Sequence, residues 1–238
     1  MSYVLKLHGT NEGADKRGNR EMKYDLTTRW LHAGIALGAS VQLCTSLFMD
    51  VPVPGQPFVE PGYHIFLIHR WSGICLVTLV VLHWLWGLSG HVKAGWGHLF
   101  PWFSRSRLRG LLSDIQDMPK WFQGNLPAQQ EETIPLAGAI HGLGLLAVSV
   151  MAASGSTIFF GMGPHGSMGH LVSWVREGHM LMGNILWLYF FGHAGISVLH
   201  QLRGDRLITN MFNLMKKQSA PGPRAKGPDA SSTVRSTG

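Results

Sequence analysis

Four long windows of the sequence contain no Asp, Glu, Lys or Arg, and they constrain the fold more than any other feature. Each is at least as long as the roughly 20 residues that an α-helix needs to cross the hydrocarbon core of a membrane. Only 14% of the whole chain is charged, against about 25% in ordinary soluble domains. The sequence therefore predicts an all-α integral membrane protein, a four-helix bundle with spans at Trp30–Met49, Trp71–Val92, Thr133–Met162 and Gly178–Leu202.

The positions of the basic residues predict the orientation of these helices. Lys and Arg number six in residues 1–29, five in 93–120 and seven in 203–238. The segments 50–70 and 163–177 hold one each, Arg70 and Arg176. By the positive-inside rule, both termini and the central loop are predicted to be cytoplasmic. The net charge of +7 is therefore interpreted as a topology signal, and no nucleic-acid partner is predicted.

The segments outside the spans divide into two tails and a central loop. Residues 1–23 and 215–238 are polar and lack apolar periodicity, so we predict disordered cytoplasmic tails around a membrane domain at 24–214. Residues 1–23 also carry no secretory signal, so the helices themselves are expected to direct insertion. In the central loop, Arg107–Phe122 is predicted to form an amphipathic helix along the membrane surface. A docking surface for a protein partner is the alternative interpretation of this loop.

Six histidines lie in or beside the predicted spans, where the bilayer makes polar groups costly. Ionisable residues inside a membrane are candidates for function. His179 and His193 are fourteen residues apart, which is about 21 Å and close to four turns along a helix. One helix thus presents two imidazoles on nearly the same face, one toward each membrane surface. The six residues are His32, His69, His83, His141, His179 and His193.

Matching these histidines by depth gives two pairs. The predicted topology puts His179 near the outer surface with His69, which opens the second helix, and puts His193 toward the cytoplasm with His32. Neutral imidazole is a good iron ligand, and a porphyrin between helices fills a bundle core. The sequence therefore predicts two six-coordinate haems, each with two imidazole ligands. His83 lies fourteen residues after His69 and is the alternative to His32 as the partner of His193.

Three arginines and one further histidine extend the predicted site. Arg29 lies one turn from His32, where a guanidinium can neutralise a haem propionate, and this favours His32 over His83 as a ligand. Arg70 and Arg176 are close in sequence to the outer pair and have the same predicted role, with snorkelling to lipid headgroups as the alternative. His141 is either part of a quinone pocket or a hydrogen-bonded structural residue.

Three sets of residues, taken in order, carry a resemblance to a known family. They are Arg29-x-x-His32, Ile68–Gly73 followed by Leu82–Gly87, and Gly178-His179 through His193-Ala194-Gly195 to Arg203-Gly204-Asp205. Over residues 24–214 the chain resembles the bacterial four-helix di-haem cytochrome b group. That group includes prokaryotic cytochrome b561 and the membrane subunits of nickel-iron hydrogenases, formate dehydrogenases and thiosulfate reductases.

The resemblance implies two b-type haems ligated by His32, His69, His179 and His193. It also implies a bacterial inner-membrane protein that exchanges electrons between a periplasmic-side redox enzyme or carrier and a membrane quinone near the inner haem. The family often has Arg where His83 stands, so this departure leaves the role of the second helix open. Whether the chain is a monomer or a homodimer is open as well.

Three functions from different classes follow from the same residues. The leading hypothesis is the electron-transfer cytochrome b subunit of a respiratory oxidoreductase. A stand-alone membrane oxidoreductase, in which superoxide or quinone reacts directly at the haems, is the second. The third is a metal transporter without haem, in which the histidines form a metal pathway. No nucleotide-binding, covalent-haem or nucleophile motif is present in the sequence.

Overall fold

The computed structural model describes residues 25–89, 99–122, 135–204 and 207–215. Within these ranges the regular structure is helical, which confirms the predicted all-α class. Both predicted tails lie outside the described residues, apart from Met215. The α-helices are α1 (Leu26–Ser46), α2 (Gly62–Leu88), α3 (Arg105–Phe122), α4 (Pro135–Gly161), α5 (His170–Leu202) and α6 (Leu207–Met211). Short 3₁₀ helices cover Pro101–Phe103 and Pro164–Gly166.

The four long apolar helices pack in the order α1, α2, α4, α5, each against the next. Their shared core is a cluster of five buried aliphatic side chains, to which every one of the four helices contributes. Many other large apolar side chains on these helices are exposed, as expected where the solvent is lipid. The core cluster is Leu43, Leu76, Val80, Val148 and Leu186.

Three of the described helices, α2, α4 and α5, are long and apolar enough to cross a membrane. The first helix, α1, has 21 residues, enough for about 31 Å, and packs along α2. Gly34 and Gly38 allow the two helices to come close. A Cβ at Gly34 would lie 3.1 Å from the Leu79 side chain, and a Cβ at Gly38 would lie 3.0 Å from the Leu76 side chain. That α1 also spans the membrane, completing a four-span bundle, stays a prediction.

Three long helices begin earlier in the chain than predicted, the first of them at Leu26 instead of Trp30. The second begins at Gly62 instead of Trp71, and the fourth long helix begins at His170 instead of Gly178. The charged residues between these points ended the apolar windows but do not interrupt helical backbone hydrogen bonding. As a consequence His69, predicted to open its helix, lies two turns inside α2.

The α1–α2 and α4–α5 loops, at the end of the bundle that is predicted to face outward, pack against each other. Phe58, in the proline-rich α1–α2 loop, stacks on Tyr63 at 4.2 Å and on His165 at 5.8 Å between ring centroids. Gly166 has φ of 79°, and a Cβ there would lie 2.0 Å from the carbonyl oxygen of Pro52. Glycine therefore permits the close approach between the loops. This loop pair covers the end of the bundle that contains His69 and His179.

The amphipathic helix predicted in the central loop is confirmed as α3, starting two residues earlier at Arg105. It packs on α4, where the Asp114 carboxylate accepts a hydrogen bond from the Leu136 backbone N–H at 3.0 Å. Leu108, Leu112 and Ile115 are exposed, and their spacing places them on one face. The position of this face on the membrane surface stays a prediction.

Candidate metal centre

His69 on α2 and His179 on α5 lie near each other at the end of the bundle that is predicted to face outward, although no ring contact links them among the described residues. His69 and His179 are close enough to interact electrostatically, and both are half-buried. Thr45 Oγ1 lies 2.9 Å from the Nδ1 atom of His69, and Ser154 Oγ lies 2.8 Å from the Nδ1 atom of His179. Because Nδ1 of each ring is occupied by a hydroxyl, the Nε2 atom is the one available to a metal. We refer to His69 and His179 as the outer pair.

A second pair lies at the other end of the bundle, between α1 and α5. The ring centroids of His32 and His193 are 6.3 Å apart. A metal ion bound about 2 Å from one nitrogen of each ring would separate the centroids by roughly 6 Å. The observed spacing therefore suits one metal ion between the two rings. We refer to His32 and His193 as the inner pair.

The donor chemistry fits a haem iron better than a bare ion. Within the described ranges, no cluster of three or more His, Cys, Asp or Glu side chains could hold a metal ion. A haem iron needs only two protein ligands, because the porphyrin supplies the other donors. Gly183, one turn after His179, leaves room at the outer pair, since a Cβ there would meet only Met151 at 3.9 Å.

The alternative ligand His83 lies close to the inner pair without joining it. It is close enough to His32 to interact electrostatically. Among the residues that the structure describes, however, no ring contact links His83 to His193. Its Nδ1 atom is buried and has no hydrogen-bond partner in that part of the chain. The geometry thus favours His32 as the partner of His193.

His141 and one tyrosine complete the surroundings of the inner pair. The ring of His141 meets the ring of His193 edge-on, with centroids 5.1 Å apart, and its Nδ1 lies 2.7 Å from the Ala137 carbonyl oxygen. Tyr189 stacks on His193 at 5.5 Å with an interplanar angle of 9°. Sequence reasoning missed Tyr189, although its position four residues before His193 places both on one helix face.

Comparison with known families shows which family the chain belongs to. A sequence model of prokaryotic cytochrome b561 matches residues 23–214. The chain belongs to the prokaryotic cytochrome b561 family. Searches of curated proteins and of solved structures gave no match. Membership in this family implies a membrane protein that contains b-type haem and supports electron transfer across the membrane.

The three arginines of this cytochrome b561 family member that are predicted to contact haem propionates, Arg29, Arg70 and Arg176, each contact a protein group. Arg29 is 1% exposed, and its guanidinium donates a hydrogen bond to the backbone carbonyl of Asn213. Arg70 donates a hydrogen bond to the Phe159 carbonyl at 3.0 Å, and its guanidinium lies over the Phe159 ring, 4.4 Å from the ring centroid. Arg176 forms an ion pair with Glu177 at 2.9 Å. Contact of these arginines with haem propionates stays a prediction.

The segment after α6 contacts the end of the bundle that contains the inner pair. Besides the hydrogen bond from Arg29 to Asn213, the ring of Phe212 meets the ring of His32 with centroids 5.9 Å apart. Two consecutive residues of this segment therefore contact α1, and one of these contacts is with the proposed ligand His32. The apolar windows gave no indication of this contact, because the segment lies beyond the last of them.

Three of the remaining histidines are exposed. The ring of His64 contacts the Glu60 carboxylate. His165 and His170 lie in or beside the α4–α5 loop. His8, His91 and His98 lie outside the described residues.

Proposed function

We propose that this chain conducts electrons across the bacterial inner membrane through two b-type haems, one held by the outer pair and one by the inner pair. The observation that carries the proposal is the 6.3 Å spacing of the His32 and His193 rings. Helices α1 and α5 do not pack along one another in the described part of the chain, yet they bring these two rings to the separation that a shared iron requires.

The two sites lie at different depths along the same helix. His179 and His193 are separated by about 21 Å along α5, and their partners come from the matching ends of α2 and α1. When bound, the haem irons supply the one-electron chemistry. The protein contributes the axial imidazoles, excludes water through the aliphatic core between the sites, and sets the redox potentials through burial and hydrogen bonds.

The surroundings of the inner pair support a quinone as the electron-exchange partner on the cytoplasmic side. His141 and Tyr189 both contact His193, and each carries a group that can donate or accept a hydrogen bond. Quinone reduction and quinol oxidation both need proton transfer at the ring oxygens. A half-buried imidazole next to an iron ligand suits that requirement.

The outer end supports a protein partner better than a small anionic substrate. A stand-alone enzyme that attracts superoxide would benefit from cationic side chains facing solvent. Here Arg70 is engaged by Phe159, and Arg176 is paired with Glu177. We therefore propose that a periplasmic-side redox enzyme or carrier docks at the outer loops and that the chain serves as the cytochrome b subunit of a respiratory oxidoreductase.

The haem content of the purified full-length protein tests this proposal. We expect a pyridine haemochrome assay to give two haem b groups per chain. We also expect the reduced protein to show the spectrum of six-coordinate, low-spin haem. A ratio close to one haem per chain would contradict the two-site proposal, and a colourless protein would favour the metal-transport alternative.

A further inference from the structure

Both histidines of the outer pair have a hydroxyl from a neighbouring helix at Nδ1. Thr45, near the end of α1, contacts His69 at 2.9 Å, and Ser154, near the end of α4, contacts His179 at 2.8 Å. The two contacts are alike in chemistry and nearly equal in length. They come from different helices, so the likeness does not reflect a repeated sequence motif.

Each hydroxyl also lies within hydrogen-bonding distance of a carbonyl of its own helix, which favours one direction for its contact with the histidine. Thr45 Oγ1 donates to the Val41 carbonyl at 2.7 Å, and Ser154 Oγ donates to the Val150 carbonyl at 2.8 Å. A hydroxyl has one proton to donate and two lone pairs to accept. Each hydroxyl therefore accepts the Nδ1–H of its histidine. The imidazole is held as the tautomer whose Nε2 lone pair is free for iron.

The approach of α1 to α2 at this level explains how Thr45 reaches His69. Gln42, one turn before Thr45, donates to the His69 carbonyl at 2.8 Å and to Ser72 Oγ at 2.7 Å. Gly73 faces this side chain, and a Cβ there would lie 3.4 Å from the Gln42 amide oxygen. The two helices are thus joined by polar contacts at the depth of the outer pair.

The inner pair is different. The Nδ1 atom of His32 is buried and has no hydrogen-bond partner among the described residues. His141 bonds through Nδ1 to the Ala137 carbonyl of its own helix. Acceptance of the Nδ1–H by a hydroxyl from another helix distinguishes the outer pair from His32.

We propose that Thr45 and Ser154 are positioning residues that orient the outer imidazoles and lower the reduction potential of the outer iron. An acceptor at Nδ1–H increases the electron density that Nε2 gives to the metal, which stabilises the oxidised state. The inference rests on the proposed ligation of the outer haem by His69 and His179. Beyond the ligands, it names Thr45 and Ser154 as the residues that lower the reduction potential of the outer haem.

The test compares Thr45→Val and Ser154→Ala with two matched controls in the full-length, haem-containing protein. Thr78 and Ser156 also donate to carbonyls of their own helices, at 3.2 and 2.8 Å, and contact no histidine within the described residues. Thr78→Val and Ser156→Ala therefore remove the same groups without changing Nδ1 of a ligand. Optical redox titration and the g values of the low-spin ferric haems are the readouts.

We expect each variant to raise the midpoint potential of one haem and leave the other unchanged. A hydrogen bond of ordinary net strength can change the reduction equilibrium by up to about tenfold, which is about 59 mV for a one-electron couple. The double variant should give a larger shift than either single variant. The controls should match the wild type in both potentials and both sets of g values.

Several results would overturn the inference. If both haems are bound and neither potential moves, or if the controls shift as much, the hydroxyls do not tune the site. If a variant loses haem, the test moves to Thr45→Ser and Ser154→Thr, which keep a hydroxyl at the same position. These variants should bind haem with the wild-type potential. Failure to do so would contradict the proposed role. The proposed function fails differently, when His69→Ala retains both haems.

Discussion

Replacing His32 or His83 separates the two candidate ligands of the inner site. An imidazole nitrogen lies about 2 Å from a bound metal ion, and the ring centre roughly 1 Å further, so two axial ligands place their centroids about 6 Å apart. The His32 and His193 rings already stand at 6.3 Å. His83 makes no such ring contact with His193 within the described residues. We therefore expect His32→Ala to halve the haem content and His83→Ala to leave it unchanged.

The assay is the haem-to-protein ratio of full-length variants purified in the same detergent, with a redox titration of the haem that remains. His32→Ala should retain one haem with the potential of the outer site, and His83→Ala should retain two haems. Helix α1 must also remain folded, which circular dichroism can check. If His83→Ala loses one haem while His32→Ala keeps two, the reasoning from ring spacing is refuted and His83 is the ligand.

Two further predictions concern the outer pair and the buried arginine. His69→Ala and His179→Ala are each expected to remove the outer haem and spare the inner one, as judged by haem content and by the one potential that remains. Loss of both haems from His69→Ala at unchanged helix content would contradict separate sites. Arg29→Met is expected to destabilise the protein by about 1–3 kcal/mol, because the Asn213 carbonyl loses a donor. The measurement is thermal unfolding in detergent, with Lys120→Met as the control, since its ion pair with Asp117 is exposed and contributes little. Equal stability of the two variants would show that the contact with Asn213 is unimportant.

The helical class and the helix face shared by His179 and His193 could be predicted because each depends on a signal along one segment. A window without charged residues marks a membrane helix, and a spacing of fourteen residues places two imidazoles on one face. The helix starts at Gly62 and His170 could not be predicted in this way. Near the membrane surface, polar residues end an apolar window, while the backbone continues to form helical hydrogen bonds.

The hydroxyl groups that contact His69 and His179 could not be predicted, because they come from other helices. Thr45 and Ser154 look like ordinary hydroxyl residues in a membrane helix, which commonly bond to a carbonyl one turn back. Only the packing of α1 on α2 and of α4 on α5 reveals that the same oxygens also meet Nδ1 atoms. The burial of Arg29 against the segment after α6 is likewise a tertiary contact, with no periodic signal in the sequence.

An experimental structure of the haem-containing, full-length protein tests the central claim most directly. The account predicts two irons separated by about 21 Å along the direction of α5. One should lie between the Nε2 atoms of His69 and His179, and the other between the rings of His32 and His193. A single iron, or an iron whose axial ligands come from any other pair of side chains, would contradict it.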